Sequence, residues 1–235
     1  MRSIFKLSIF ITMAAILFGC SSSDSGSSTP PPPTTKSLNG VVIDPPVTGA
    51  RVVLWGEIDG SYQPANFCGA GKNTICNTYT NNEGRFSIIY DLSKDISNFY
   101  LVTHGGTDTL YNTDLTGISL YSPLALFDVE KDIIVSPITT VVNSLIVNEG
   151  VSLSDAVQNT ANALNISEDL VAVSPLESAE LLKASYLVVK AAEFIHNESV
   201  EDPLTKIAAA VKEEPTLTIA DDGFLNKLFE LSDIT

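Results

Sequence analysis

At about Ile134 the chain changes texture, and that break constrains its fold more than any other feature. From Leu38 to about Leu124, Gly, Pro, Asn and Asp recur at short intervals and divide the chain into segments of strand length. Beyond Ile134 Gly becomes rare, and Ala, Leu and Glu dominate in longer runs. A chain that is strand-like first and helix-like afterwards predicts an α+β protein, with an N-terminal β half followed by a C-terminal α-helical bundle.

The strand candidates are residues 39–44, 50–55, 76–80, 85–90 and 98–104, all rich in Val, Ile, Tyr and Phe. Phe86, Ile88 and Tyr90 alternate and so share one face of their strand. The stretch "ARVVLW" (50–55) is apolar on both faces, which predicts a central strand. In the turn "DPPVTG" (44–49) Pro45 and Pro46 fix φ, and Gly49 tolerates the left-handed region. The stretch "NNEGR" (81–85) is a second turn with its own Gly.

The helical half carries its own punctuation. In "SPITTVVNSLIVNEG" (136–150) Ser136 can cap, Pro137 suits the first helical position and Gly150 can end the helix. Ile138, Val141, Val142 and Leu145 repeat at helical spacing. A second helix is predicted over 152–164, a third over 174–197 and two shorter ones over 202–214 and 221–233. The third begins with Ser174, Pro175 and Glu177, the pattern of a capping box. "VSPITT" and "VSPLES" look alike because both read as helix starts of one type.

Two stretches of the strand half carry a resemblance. "GVVIDPPVTGARVVL" (40–54) and "TNNEGRFSI" (80–88) resemble the opening strands and the hairpin of transthyretin-like, or carboxypeptidase-regulatory-like, β-sandwich modules, and "FYLVTHGG" (99–106) fits a later strand. The resemblance covers about residues 38–106. It implies an N-terminal antiparallel β-sandwich of the prealbumin type that serves as a spacer, stalk or binding module, and it implies no reaction.

The first twenty residues read as a targeting segment. Arg2 and Lys6 precede a short apolar core, 8–18, too short for a membrane-spanning helix. The run "LFGC" (17–20) resembles the lipobox of bacterial lipoproteins. That resemblance implies cleavage after residue 19 and a covalent lipid on Cys20. Residues 20–37 form a Ser/Pro-rich tether that cannot bury apolar surface and is expected to be disordered. Ser21, where an Asp would resemble an inner-membrane retention signal, points to the outer membrane. The order of lipobox, tether, sandwich opening and Ser-Pro-x-Thr-Thr helix start is similar to that of bacterial surface lipoproteins of unassigned function. The expected organisation is a signal peptide over 1–19, the tether over 20–37, a β-sandwich domain with an extended connector over 38–134 and a helical domain over 135–235.

Loss of the signal peptide lowers the basic residues from 13 to 11 against 28 acids, a net charge of −17. Such a surface repels nucleic acid and anionic headgroups, so the expected partners are the membrane, through the lipid, and an envelope protein or glycan.

Cys68 and Cys76 bracket the glycine-rich stretch "FCGAGKNTICN" (67–77). A phosphate loop needs Gly-x-x-x-x-Gly-Lys followed by Ser or Thr, and Asn66 and Asn73 stand at the first and last of those positions. Redox pairs and zinc knuckles use Cys-x-x-Cys, whereas seven residues intervene here. A disulfide closing a small loop in an oxidising compartment, or two free thiols, remains.

No catalytic set stands out. His104 sits at a strand end beside Gly105 and Gly106, and His196 sits near a helix C-terminus. Asp108, Asn112 and Asp114 offer oxygen ligands of the kind calcium takes, but without the terminal Glu of an EF-hand loop. Tyr62 and Tyr79 flank the cysteine loop and, with His104, are the candidates for a binding surface, although strands also use aromatics for packing. The expectation is a non-catalytic envelope lipoprotein without a cofactor other than its lipid, acting as a structural or binding module. The alternatives are an accessory subunit docking through its helical half and an envelope hydrolase.

Overall fold

The structure, a computed structural model, describes residues 35–68, 74–110, 112–196 and 203–231. Cys20, the signal segment and most of the tether lie outside the described residues.

The described elements run in the order β1 (Thr35–Val42), β2 (Val47–Thr48), β3 (Arg51–Ile58), β4 (Ser61–Pro64), β5 (Asn77–Tyr79), β6 (Arg85–Asp91), β7 (Tyr100–His104), β8 (Thr107–Asp108), β9 (Tyr121–Pro123) and β10 (Ile133–Val135). Five helices complete the described chain: α1 (Pro137–Val147), α2 (Leu153–Leu164), α3 (Ala179–His196), α4 (Pro203–Glu213) and α5 (Asp222–Leu231). The protein is therefore α+β, with its strands before its helices. β1 begins at Thr35, so Thr35, Lys36 and Ser37, expected in the tether, are sheet residues. Pairing with β6 from Thr35↔Asp91 onward recruits them.

A three-stranded sheet has the order β10-β1-β6. β1 runs antiparallel to β6 but parallel to β10, so the strands are not antiparallel throughout. Gly40 is opposite both Ile133 and Phe86. A Cβ there would meet the Ile133 carbonyl and come within 2.5 Å of the Phe86 ring, so the three strands close up only around glycine. A larger sheet has the order β4-β3-β7-β9, with β5 also on β3, which makes β3 the central strand its two apolar faces predict. β2 and β8 form a small third ladder.

One face of each large sheet feeds a single core. Leu38, Val42, Phe86, Ile88, Ile133 and Val135 come from the smaller sheet, and Val52, Leu54 and Leu101 from the larger. The same core continues into the helices through Ile138, Val142, Leu145, Leu181, Ile207 and Phe224. Strand and helix residues are thus sealed from water together.

The joint between the two lies at residues 135–140. Ser136 accepts from the Thr139 N–H, and the Thr139 side chain accepts from the Ser136 N–H, completing a capping box with Pro137 behind the cap. The threonines also reach across the fold. The Thr140 hydroxyl accepts from the Tyr121 N–H at 2.9 Å, and the Thr139 hydroxyl donates to the Tyr121 carbonyl at 2.9 Å. Ser122 donates to the Ile134 carbonyl at 2.7 Å. The first turn of α1 therefore caps the edge of β9, and Ser136, Thr139 and Thr140 are all fully buried.

The second Ser-Pro segment behaves differently. Ser174 accepts from the Leu176 N–H, but it opens a 3-10 turn over Pro175–Glu177 rather than the long helix. The chain is extended at Ser178, whose hydroxyl accepts from the Leu181 N–H, and α3 starts at Ala179. "VSPITT" and "VSPLES" share a cap, but one leads into an α-helix and the other into a single 3-10 turn.

Cys68 and Cys76 form a disulfide across eight residues of sequence, both half-cystines buried against the core. Chain-entropy reasoning for a loop of this size gives about 2–3 kcal/mol. A Cys68→Ala/Cys76→Ala protein is expected to lose about that much stability, read as a lower urea midpoint. An unchanged midpoint would show that the bond staples nothing.

Candidate functional site

The outward face of the larger sheet carries the candidate site. Residues paired across neighbouring strands lie on the same face. Arg51 is opposite Tyr79 on one side and His104 on the other. Val53 is opposite Asn77 and Val102, and Val102 is opposite Tyr121. Trp55 is opposite Pro64 and Tyr100, and Tyr100 is opposite Pro123. Glu57 is opposite Tyr62. The alternate residues of β3, Val52 and Leu54, belong to the core. One face therefore gathers four tyrosines, the single tryptophan, an arginine, a histidine and a glutamate.

Register thus places Tyr62, Tyr79 and His104, the candidates for a binding surface read from the sequence, on one face. Tyr62 is 56% and Tyr79 64% exposed, and Arg51, Glu57, Asn77 and His104 are also exposed. Val53, Val102 and Tyr100 are buried but stand outside the main core, as a satellite cluster under the larger side chains of this face should. The tyrosine rings form a line across the strands. The centroids of Tyr62 and Tyr100 are 6.3 Å apart and those of Tyr100 and Tyr121 6.5 Å apart, with ring planes tilted by 48° and 47°. Strand backbones, not loops, hold these rings.

The polar groups of the face are of several kinds. Arg51 offers five N–H donors and has no ion-pair partner among the described residues. His104 Nδ1 lies 3.0 Å from the Ser119 hydroxyl. Partial burial, and then the positive charge of Arg51, hold its imidazole below the usual histidine range, so it is neutral at pH 7. Burial, with Tyr121 and Tyr62 nearby, pushes the Tyr100 phenol up to about 12, so it keeps its proton. Trp55 Nε1 is buried without an acceptor. Sequence reasoning missed Arg51 and Glu57. Taking every second residue from Arg51 would have put Arg51, Val53, Trp55 and Glu57 on one face.

The possible calcium ligands stand in different settings. Asp108 is buried in β8, and one of its oxygens accepts from the Leu110 N–H. Asp114 is exposed, and one of its oxygens accepts from both the N–H and the hydroxyl of Thr116. Asn112 is exposed with φ of 55°. Among the described residues no group of three His, Cys, Asp or Glu side chains is placed to hold a metal ion. His196 is the last residue of α3.

Two further features lie away from this face. A cleft of about 470 Å³ opens between the outer side of the smaller sheet and residues 172–177, with Ile43, Ile134 and Leu176 among its lining and Arg85 at its rim. Arg85 is already held by Asp132 at 2.7 Å. Asp44, in the turn after β1, has its carboxyl raised to about 7, first by burial and then by the negative charges of Asp108 and Glu193.

Compared with known proteins, the chain matches no family model, no curated protein and no solved structure.

Proposed function

We propose that the protein is a non-catalytic lipoprotein of the cell envelope, held at the outer membrane by lipid on Cys20. Its folded body is a binding module of the transthyretin-like sandwich type followed by a helical bundle. Its binding surface is the outward face of β4, β3, β5, β7 and β9. The observation that carries this is the convergence of Tyr62, Tyr79, His104, Arg51 and Trp55 on one rigid sheet face. Rigid, half-exposed aromatic residues give large contact area at low entropic cost, which is what a recognition surface needs. The N-terminal pattern and the buried disulfide, which belongs to an oxidising compartment, support the envelope location.

One observation favours docking through the helical half as a second role. Leu182 and Tyr186 lie one turn apart on α3 and are about half exposed. A partner on that helix would make the protein an accessory subunit.

The anchor is tested by Cys20→Ser. The expected outcome is transfer of the protein from the sedimenting membrane fraction to the soluble fraction, with loss of incorporated radiolabelled palmitate. A variant that still sediments with membranes overturns the lipid anchor.

A further inference from the structure

Resting on the sheet face as the binding surface, we infer that its ligand is an uncharged saccharide chain, laid on this face against the exposed rings of Tyr62 and Tyr79 and the partly exposed rings of Trp55 and Tyr121. A pyranose ring has a flat C–H surface bordered by hydroxyl groups. It needs aromatic rings to lie on and both donors and acceptors around them. Tyr62 and Tyr121 stand 6.3 Å and 6.5 Å from the ring of Tyr100, which lies buried between them, and Trp55 is the direct register partner of Tyr100. Around them Arg51 only donates, Glu57 only accepts, and Asn77 and the phenols do both.

Charge selects the class of saccharide. Arg51 and Glu57 cancel, and neutral His104 adds nothing, so the face has no net charge in a chain with 28 acidic residues against 13 basic ones. A polyanionic glycan approaches against that field. A basic protein is drawn to the acidic surface at large and gains nothing particular here. An apolar protein patch would bury Arg51 and Glu57 without partners, which is costly. Sugar hydroxyls satisfy both, because each donates and accepts.

Trp55 is the single tryptophan of the chain, so its emission reports on this face alone. The full-length protein, in a detergent without a sugar headgroup, is titrated with soluble β-glucan, galactomannan, arabinoxylan and dextran, and with polygalacturonate as the acidic counterpart. At least one neutral polymer is expected to shift Trp55 emission in a saturable way. Tyr62→Ala and Tyr79→Ala should each weaken that binding by about threefold to tenfold, the order expected of one aromatic contact. Both side chains are more than half exposed, so the variants should keep the native circular dichroism. Leu182→Ala on α3 should bind as the parent does.

No response to any neutral polymer, or tighter saturation by polygalacturonate, overturns the uncharged saccharide. If the sugars fail but an envelope protein captured from native membranes is retained by the parent and lost with Tyr62→Ala/Tyr79→Ala, the saccharide falls and the binding face stands. Saccharide binding undiminished in that double variant, detected by retardation in polysaccharide-containing gels, removes the face itself.

Discussion

Replacing Thr139 and Thr140 together by valine is expected to destabilise the protein by about 3–5 kcal/mol. Valine keeps the shape of threonine and removes only the hydroxyls. Their loss strips partners from the Ser136 N–H and from both backbone groups of Tyr121, which the two hydroxyls now satisfy. Each buried backbone group left without a partner costs about 1–3 kcal/mol. Thr140→Val alone should therefore cost about 1–3 kcal/mol. The observable is urea unfolding followed by two probes, Trp55 fluorescence for the strands and far-ultraviolet circular dichroism dominated by the helices. The core is continuous from Leu54 to Phe224, so both probes should move together to the same lower midpoint. A double variant within 0.5 kcal/mol of the parent, on the scale of about ±0.5 kcal/mol typical of featureless surface sites, would show that β9 does not depend on the first turn of α1. Separate midpoints would show that strands and helices unfold independently.

The second large effect is a pH dependence centred on Asp44. Its carboxyl titrates near 7 in the folded protein against 3.8 for the ordinary value, because burial and the neighbouring charges of Asp108 and Glu193 disfavour the ionised form. Below pH 3.8 the group is protonated whether the chain is folded or not. Between 3.8 and 7 the unfolded chain has released that proton and the folded protein still holds it. Folding then takes up a proton, so stability falls as pH rises through this window. Above about 7 both states are ionised and the loss is complete. The full span corresponds to at most roughly 4 kcal/mol. Asp44→Asn removes the titration. Its stability relative to the parent should therefore rise from about pH 5 to about pH 8, by a large part of that span, in urea unfolding at each pH. A difference that stays constant over that range would show that Asp44 is ionised in the folded state throughout. Groups remote from Asp44 behave alike in both proteins and cancel from the comparison.

The elements legible in the sequence are those whose signal is local. The alternation of Phe86, Ile88 and Tyr90 gives β6 directly, and all three are buried. Ser136, Pro137 and the spacing of Ile138, Val141 and Val142 give α1 at its true start. β9 and β10 are not legible, because three residues are too few to show a period. They are strands through pairing with β7 and with β1. The start of α3 lies later than its sequence pattern predicts for a related reason. A capping box is a local preference of about 1 kcal/mol. Ser174 and Glu177 satisfy its pattern, yet the buried Pro175 holds a 3-10 turn and Ser178 takes over as the cap.

The site divides along the same line. The amino-acid order places Trp55 and every tyrosine but Tyr186 before residue 122, and leaves Cys68 and Cys76 as a pair once Cys20 is set aside. These are properties of the chain that no fold can change. Which aromatics face water, and which face each other, depends on register, because a slip of one residue sends every side chain to the opposite side of the sheet. Turn geometry and pairing between strands far apart in sequence decide that register. The sequence by itself therefore determined the α+β order, the punctuation of α1 and the identities of Tyr62, Tyr79 and His104 as candidates. Only the tertiary structure set them around Arg51 and Trp55 on one face, joined α1 to the edge of β9 and brought the partly buried Asp44 within the field of Asp108. Those juxtapositions come from packing strands and helices around one shared core, and no local preference specifies them.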